Sequence, residues 1–137
     1  MANALYDKGR EAFLSGTINW EADNIKVALV RGYTVNTATH EYLSDITGGG
    51  GGTIVATSGN LASKTPTAGV ADAADFTWTA VGTGAACAYI IIYKDTGVAG
   101  TSRLIAYIDT ATGLPVTPNG GDITVTWDNA SNKIFKL

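Results

Sequence analysis

Apolar residues recur along this chain in short runs, mostly at strand spacing. The opening stretch "MANALYDKGREAFLSG" is the exception. Leu5, Tyr6, Gly9, Ala12 and Phe13 share a face at helical spacing, the charged residues take the other, Asn3 is placed to cap and Gly16 to stop the helix. A short helix within residues 1–15 is predicted, serving either as an arm or as a core element. Next come "TINW" (17–20) and "NIKVALVRGY" (24–33), two strand signals joined around "EAD" as a hairpin. In "NTATHEYLSDI" (36–46), Thr37 or Thr39 is placed to cap a helical turn carrying Tyr42, Leu43 and Ile46.

Further on lie "TIVATS" (53–58), "NLASKTPTAGVADAAD" (60–75), "FTWTAV" (76–81), "ACAYIIIYKD" (86–95), "SRLIAYIDT" (102–110), "DITVTWDN" (122–129) and "NKIFKL" (132–137). Most are β-branched or aromatic runs bounded by Gly, Asn, Asp and Pro. The connections "TGVAGT", "ATGLPVTPNGG" and "DNASN" are turn-rich, which predicts consecutive strands as antiparallel neighbours. The run Tyr89–Tyr93 is apolar on both faces and predicts a central strand. Roughly eight strands with one leading helix predict a mainly β fold, an antiparallel β-sandwich or flattened barrel.

The 137 residues fit a single β-rich domain spanning 1–137. Within it, residues 47–52 read as a flexible glycine loop, because five consecutive glycines, 48–52, offer no side chain to pack. A phosphate cradle would need a strand before the glycines and a Lys then Ser or Thr opening a helix. Here Thr53, Ile54 and Val55 follow and no Lys occurs until Lys64, so the loop reading wins.

Net charge is −3 and charged residues make up 15% of the chain, with nine Lys and Arg against twelve acids. That composition argues against direct nucleic-acid binding. The N-terminal residues carry Asp7, Lys8, Arg10 and Glu11 without an apolar core, unlike a secretory signal or a membrane span. Synthesis and residence in a cytosol follow as expectations, and with them an unmodified Asn129-Ala130-Ser131 sequon.

Candidate chemistry is sparse. Cys87, the one cysteine, lies in an apolar run and reads as a small core residue. His40, the one histidine, lacks the second histidine of a zinc signature, since Ser44 stands at the required position. A triad with Asp45 and a distant serine is conceivable, but no nucleophile elbow frames any serine. His40 is therefore expected to pack or cap its turn. The pairs Asp72 with Asp75 and Asp109 with Asp122 could supply two carboxylates, yet acids beside turn residues also serve as ordinary turn formers, the favoured reading. Trp20, Trp78 and Trp127 could stack a sugar or a base, although core packing is expected of them. No catalytic residue, cofactor or metal site is expected, and the chain reads as a non-enzyme.

The ends carry a resemblance. "MANALYDKGREAFLSGTINWEADNIKVALV" with "TATHEYLSDI", and "SRLIAYIDTATGLPVTPNGGDITVTWDNASNKIFKL", resemble a family of small virion structural proteins of tailed bacteriophages and prophages. The glycine run lies between the matching blocks. The resemblance implies a virion component, most readily a capsid decoration or cement protein, and brings no catalytic residue with it. A tail, neck or fibre-associated subunit is the alternative within that class, and a carbohydrate-binding module the alternative outside it. The partners implied are the major capsid protein or other virion proteins and further copies of the chain, with a trimer favoured and no membrane partner.

Overall fold

The computed structural model describes residues 4–109, 114–127 and 133–136. Five strands form one antiparallel sheet in the order β1-β7-β6-β2-β3: β1 (Ala4–Leu5), β2 (Ile25–Arg31), β3 (Thr53–Thr57), β6 (Tyr89–Lys94) and β7 (Leu104–Ile108). Two ribbons complete the β structure. The first pairs β4 (Val70–Ala71) with β9 (Phe135–Lys136), the second β5 (Phe76–Trp78) with β8 (Ile123–Val125). Helices are short, α1 (Asp7–Leu14) and α2 (Leu43–Thr47). The fold is mainly β and sandwich-like, and β1 and β3 remain as edges, so no barrel closes.

The central strands are apolar on both faces, and the pleat divides them between two cores. On one face Val27, Leu29, Ile90 and Ile92 join Trp20, Trp78 and Trp127, with the ribbons as cover. On the other, Ala28, Val30, Ile91 and Tyr93 join Tyr6, Tyr33 and Ile46. Register carries this division across the sheet, with Val27 opposite Ile92 and Ala28 opposite Ile91. Between Ile92 and Tyr93 the pairing with β7 slips, so that Tyr93 faces Leu104 and Ile105 becomes the extra residue. The expected central strand is thus β6, flanked by β2 and β7.

Several local expectations are corrected. Residues 17–20 form no strand: Ile18 and Trp20 are buried from an irregular segment, which replaces the hairpin around "EAD". Asn19 explains it, because its side-chain oxygen accepts from the N–H groups of Glu21 and Ala22 and bends the chain locally. The stretch 60–75 is mostly loop, with Val70–Ala71 paired to β9 and Thr65 bridged to Asp72. Consecutive strands are neighbours in β2–β3 and β6–β7, but β8 pairs with β5 and β9 with β4. The turn "DNASN" and the sequon at Asn129 lie outside the described residues.

The N-terminal helix begins later than its apolar spacing suggests. Ala4 and Leu5 pair with Tyr107 and Ala106 as β1, and the Tyr6 N–H donates to the Ile105 carbonyl, so the chain is extended there. Asn3 lies outside the described residues, and Tyr6 holds the N-cap position. The stop is as expected: Gly16 has φ +78°, its N–H donates to the Phe13 carbonyl, and the Thr17 N–H reaches Ala12. That is a Schellman ending, which favours glycine at this position.

α1 docks through Gly9. A Cβ there would lie 2.6 Å from the Leu104 carbonyl oxygen and 3.0 Å from the Ile105 Cα, so only glycine permits this approach. Leu5, Tyr6 and Ala12 are buried beside it, as parts of the core. Replacing Gly9 with Ala raises helix propensity by up to about 1 kcal/mol. The clash is with backbone that cannot swing aside, and overpacking of this kind costs about 1–3 kcal/mol. Gly9→Ala is therefore expected to lower stability in urea unfolding, and an unchanged or raised midpoint would refute the docking. Deletion of residues 1–14 is expected to abolish cooperative unfolding, as read by the same titration.

Candidate functional site

The glycine loop is held, not slack. In α2 the Asp45 carboxylate accepts from the Glu41 and Tyr42 N–H groups at 2.8 and 2.9 Å. Asp45 is thus the residue that fastens the helix start, in place of Thr37 or Thr39. Beyond α2 the glycine N–H groups turn back onto the helix: Gly48 donates to Ser44, Gly50 to Asp45 and Gly52 to Ile46, while Gly51 donates to Gly48. Four of the five N–H groups are thus taken up, three by α2 carbonyls and one within the loop, which leaves no nest of donors for a phosphate.

Why glycine is needed is visible in what the loop covers. Gly50 and Gly52 are buried against Tyr33. A Cβ on Gly50 would penetrate the Tyr33 ring and lie 2.9 Å from the Ile46 carbonyl, and one on Gly52 would lie 2.9 Å from the Tyr33 Cβ. Tyr33 cannot move out of the way. Its hydroxyl lies 2.8 Å from the Tyr6 hydroxyl and 2.7 Å from His40 Nδ1, and the imidazole stacks on its ring at 5.5 Å.

His40 thus packs, as its turn suggests, but its partner is the distant Tyr6–Tyr33 pair. Tyr6 is 0% and His40 8% exposed. Burial pushes the Tyr6 phenol well above its ordinary range, and burial likewise pushes Tyr33 up to about 12. Both phenols stay protonated at neutral pH and act as fixed hydrogen-bonding groups. Of the conceived triad, His40 bonds through Nδ1 to the Tyr33 hydroxyl and the Asp45 carboxylate accepts from backbone N–H groups, so each has its hydrogen-bond partner elsewhere.

The remaining acids are likewise structural. Asp75 accepts from the Trp127 N–H at 2.8 Å and Asp122 from the Ala80 N–H at 2.8 Å, while Asp72 lies 3.4 Å from the Lys133 ammonium. Asp109 has a partner too. The indoles of Trp20 and Trp127 donate to the Asp72 and Ala74 carbonyls, clamping the segment between them. All three tryptophans are buried, so they offer no stacking platform. Cys87 is buried beside a bridge to Val116, and burial raises its thiol pKa, the opposite of an activated nucleophile. Among the described residues no group of three or more His, Cys, Asp or Glu could hold a metal ion, and no helix is long and apolar enough to cross a membrane.

What the surface does offer is apolar. Two depressions meet at Phe13. One, about 380 Å³, is lined by Phe13, Ile18, Trp20, Pro66, Ala71 and Phe135. The other, about 430 Å³, is lined by Leu5, Arg10, Phe13, Leu14 and Lys136. Both flank α1 and β9, and Leu14, 90% exposed, lines the second. The two elements lie at opposite ends of the chain, and only the fold brings them side by side.

Two substitutions separate a packed loop from a slack one. Gly50→Ala is expected to cost about 2 kcal/mol by overpacking against Tyr33. Gly49→Ala, whose Cβ would sit 3.6 Å from His40 Nε2 in ordinary contact, is expected to change stability little. Equal effects in urea unfolding would contradict the packing. The Asp45 cap adds a pH dependence. Burial raises its pKa, but the N–H donors of Tyr42 and Glu41 outweigh that and hold it below the usual carboxylate range. The cap's contribution is therefore full above the unfolded-state value near pH 4 and lost as pH falls through the lower folded value. Asp45→Ala should be less stable than the native chain at neutral pH by about 1 kcal/mol. The difference should shrink in acid, as chemical denaturation at several pH values would show.

The chain matches no protein-family model and no curated protein.

Proposed function

We propose that the protein is a non-enzymatic structural subunit of a tailed-bacteriophage particle, most readily a decoration or cement protein that docks on the assembled shell. The observation that carries the reading is where the chain's reactive side chains go. His40, Asp45, Asp75 and Asp122 are engaged in core or capping bonds, and Cys87 is buried, while the accessible feature is the apolar surface around α1 and β9. The resemblance of the two chain ends to small virion proteins points the same way.

The physics suits such a role. A shell packed with DNA is under outward stress, and a small rigid domain bridging neighbouring subunits adds contact across the seams. Each contact can be weak, because many identical sites sum by avidity. The major capsid protein is the natural partner in this reading, with additional copies of the chain beside it.

Quantitative mass spectrometry of purified particles tests the proposal. The expected result is a fixed, high ratio to the major capsid protein, and particles lacking the chain should lose DNA at lower temperature. A few copies per particle would move the protein to a tail, neck or fibre position. Absence from particles would overturn the reading.

A further inference from the structure

α1 turns a single stripe to solvent. Asp7, Arg10, Glu11 and Leu14 are exposed, whereas Gly9 and Ala12 face the sheet. Positions separated by three, four and seven residues lie one above the next on a helix, so these four side chains form one contiguous face. Beside that face lies the depression bounded by Leu5, Arg10, Phe13, Leu14 and Lys136.

The stripe is self-complementary. An antiparallel helix of the same sequence, crossing with its centre between residues 10 and 11, sets Arg10 opposite Glu11 of the second copy and Glu11 opposite its Arg10. In the same register Leu14 reaches past Asp7 of the second copy, towards the depression beside its Leu5. We propose that a second copy of this chain docks here, through a two-fold antiparallel α1–α1 contact with reciprocal Arg10–Glu11 pairs and Leu14 seated in the partner's depression. Within one copy these charges pair only at the surface: Arg10 lies 3.7 Å from Asp7, and Glu11 accepts from the Lys8 ammonium at 3.0 Å, with side chains 52%, 58%, 66% and 37% exposed in that order. Exposed pairs of this kind contribute little to stability and can re-pair at small cost. Leu14 supplies apolar burial, and the charge pairs set the register.

A contact built on two helical turns is small, so the association is weak in free solution and gains strength only when other contacts hold copies together. The inference does not depend on a location in a particle, because it is tested on the purified chain.

Sedimentation velocity over a concentration series is the experiment. The native chain is expected to show a monomer–dimer equilibrium. Leu14→Glu, Arg10→Glu and Glu11→Arg should each weaken it by about tenfold or more, with unchanged melting temperatures because the side chains are exposed. The decisive arm mixes Arg10→Glu chains with Glu11→Arg chains. Each variant alone sets like charges against like, whereas the mixture sets two Glu against two Arg and should restore association. If Leu14→Glu proves poorly folded, the mixing arm still decides. A native chain that stays monomeric at millimolar concentration, an oligomer indifferent to these residues, or a mixture that fails to associate would each overturn the proposal.

Discussion

Everything in this fold depends on a sheet that is apolar on both sides. β2, β6 and β7 place Val, Leu and Ile alternately above and below the pleat, and neither face tolerates water. Two covers are therefore required. The ribbons β4–β9 and β5–β8, with the tryptophans, supply one. Tyr6, Tyr33, Leu43 and Ile46 supply the other, the last two from the short helix α2 and the first two from irregular chain beside α1 and after β2. Irregular chain over a core needs its backbone groups satisfied, and this explains why so many polar side chains serve as caps.

The second cover is the more demanding of the two. Tyr33 fills it, and its hydroxyl has to find partners inside the core. Tyr6 and His40 provide them, one from the start of the chain and one from the loop after β2. Because the ring is pinned at its hydroxyl, the loop above must yield space, and glycine at 50 and 52 yields it. A run that suggests slackness is in this setting a packing device.

The same economy leaves few functional groups at the surface. Several carboxylates are tied to backbone N–H groups, the exposed ion pairs lie on α1, and half-buried ones lie at the strand ends, such as Lys26 with Asp95 at 2.9 Å. Apolar depressions and a charged helix face lie at the surface around α1, and these are the features that the proposed structural role would use.

Much of the architecture was legible in the chain itself. β-branched runs marked the main strands, the five-residue run at 89–93 marked the central one, and Gly16 marked the end of α1, because each signal is local: backbone preference, pleat alternation or a left-handed turn. The burial of Cys87 and the tryptophans was legible for the same reason, whereas Asp75 and Asp122, expected as local turn formers, instead accept from the N–H groups of Trp127 and Ala80, 52 and 42 positions away. Pairing was not legible. That β8 joins β5 and β9 joins β4, that residues 4–5 extend along β7, and that 17–20 stays irregular depend on which distant surfaces meet, and spacing along a chain carries no record of that. Nor did the sequence reveal the join of Tyr6, Tyr33, His40 and the glycines, whose members lie up to 46 positions apart, counting from Tyr6 to Gly52. Local patterns determined which elements form; the need to cover two apolar faces at once decided where they go.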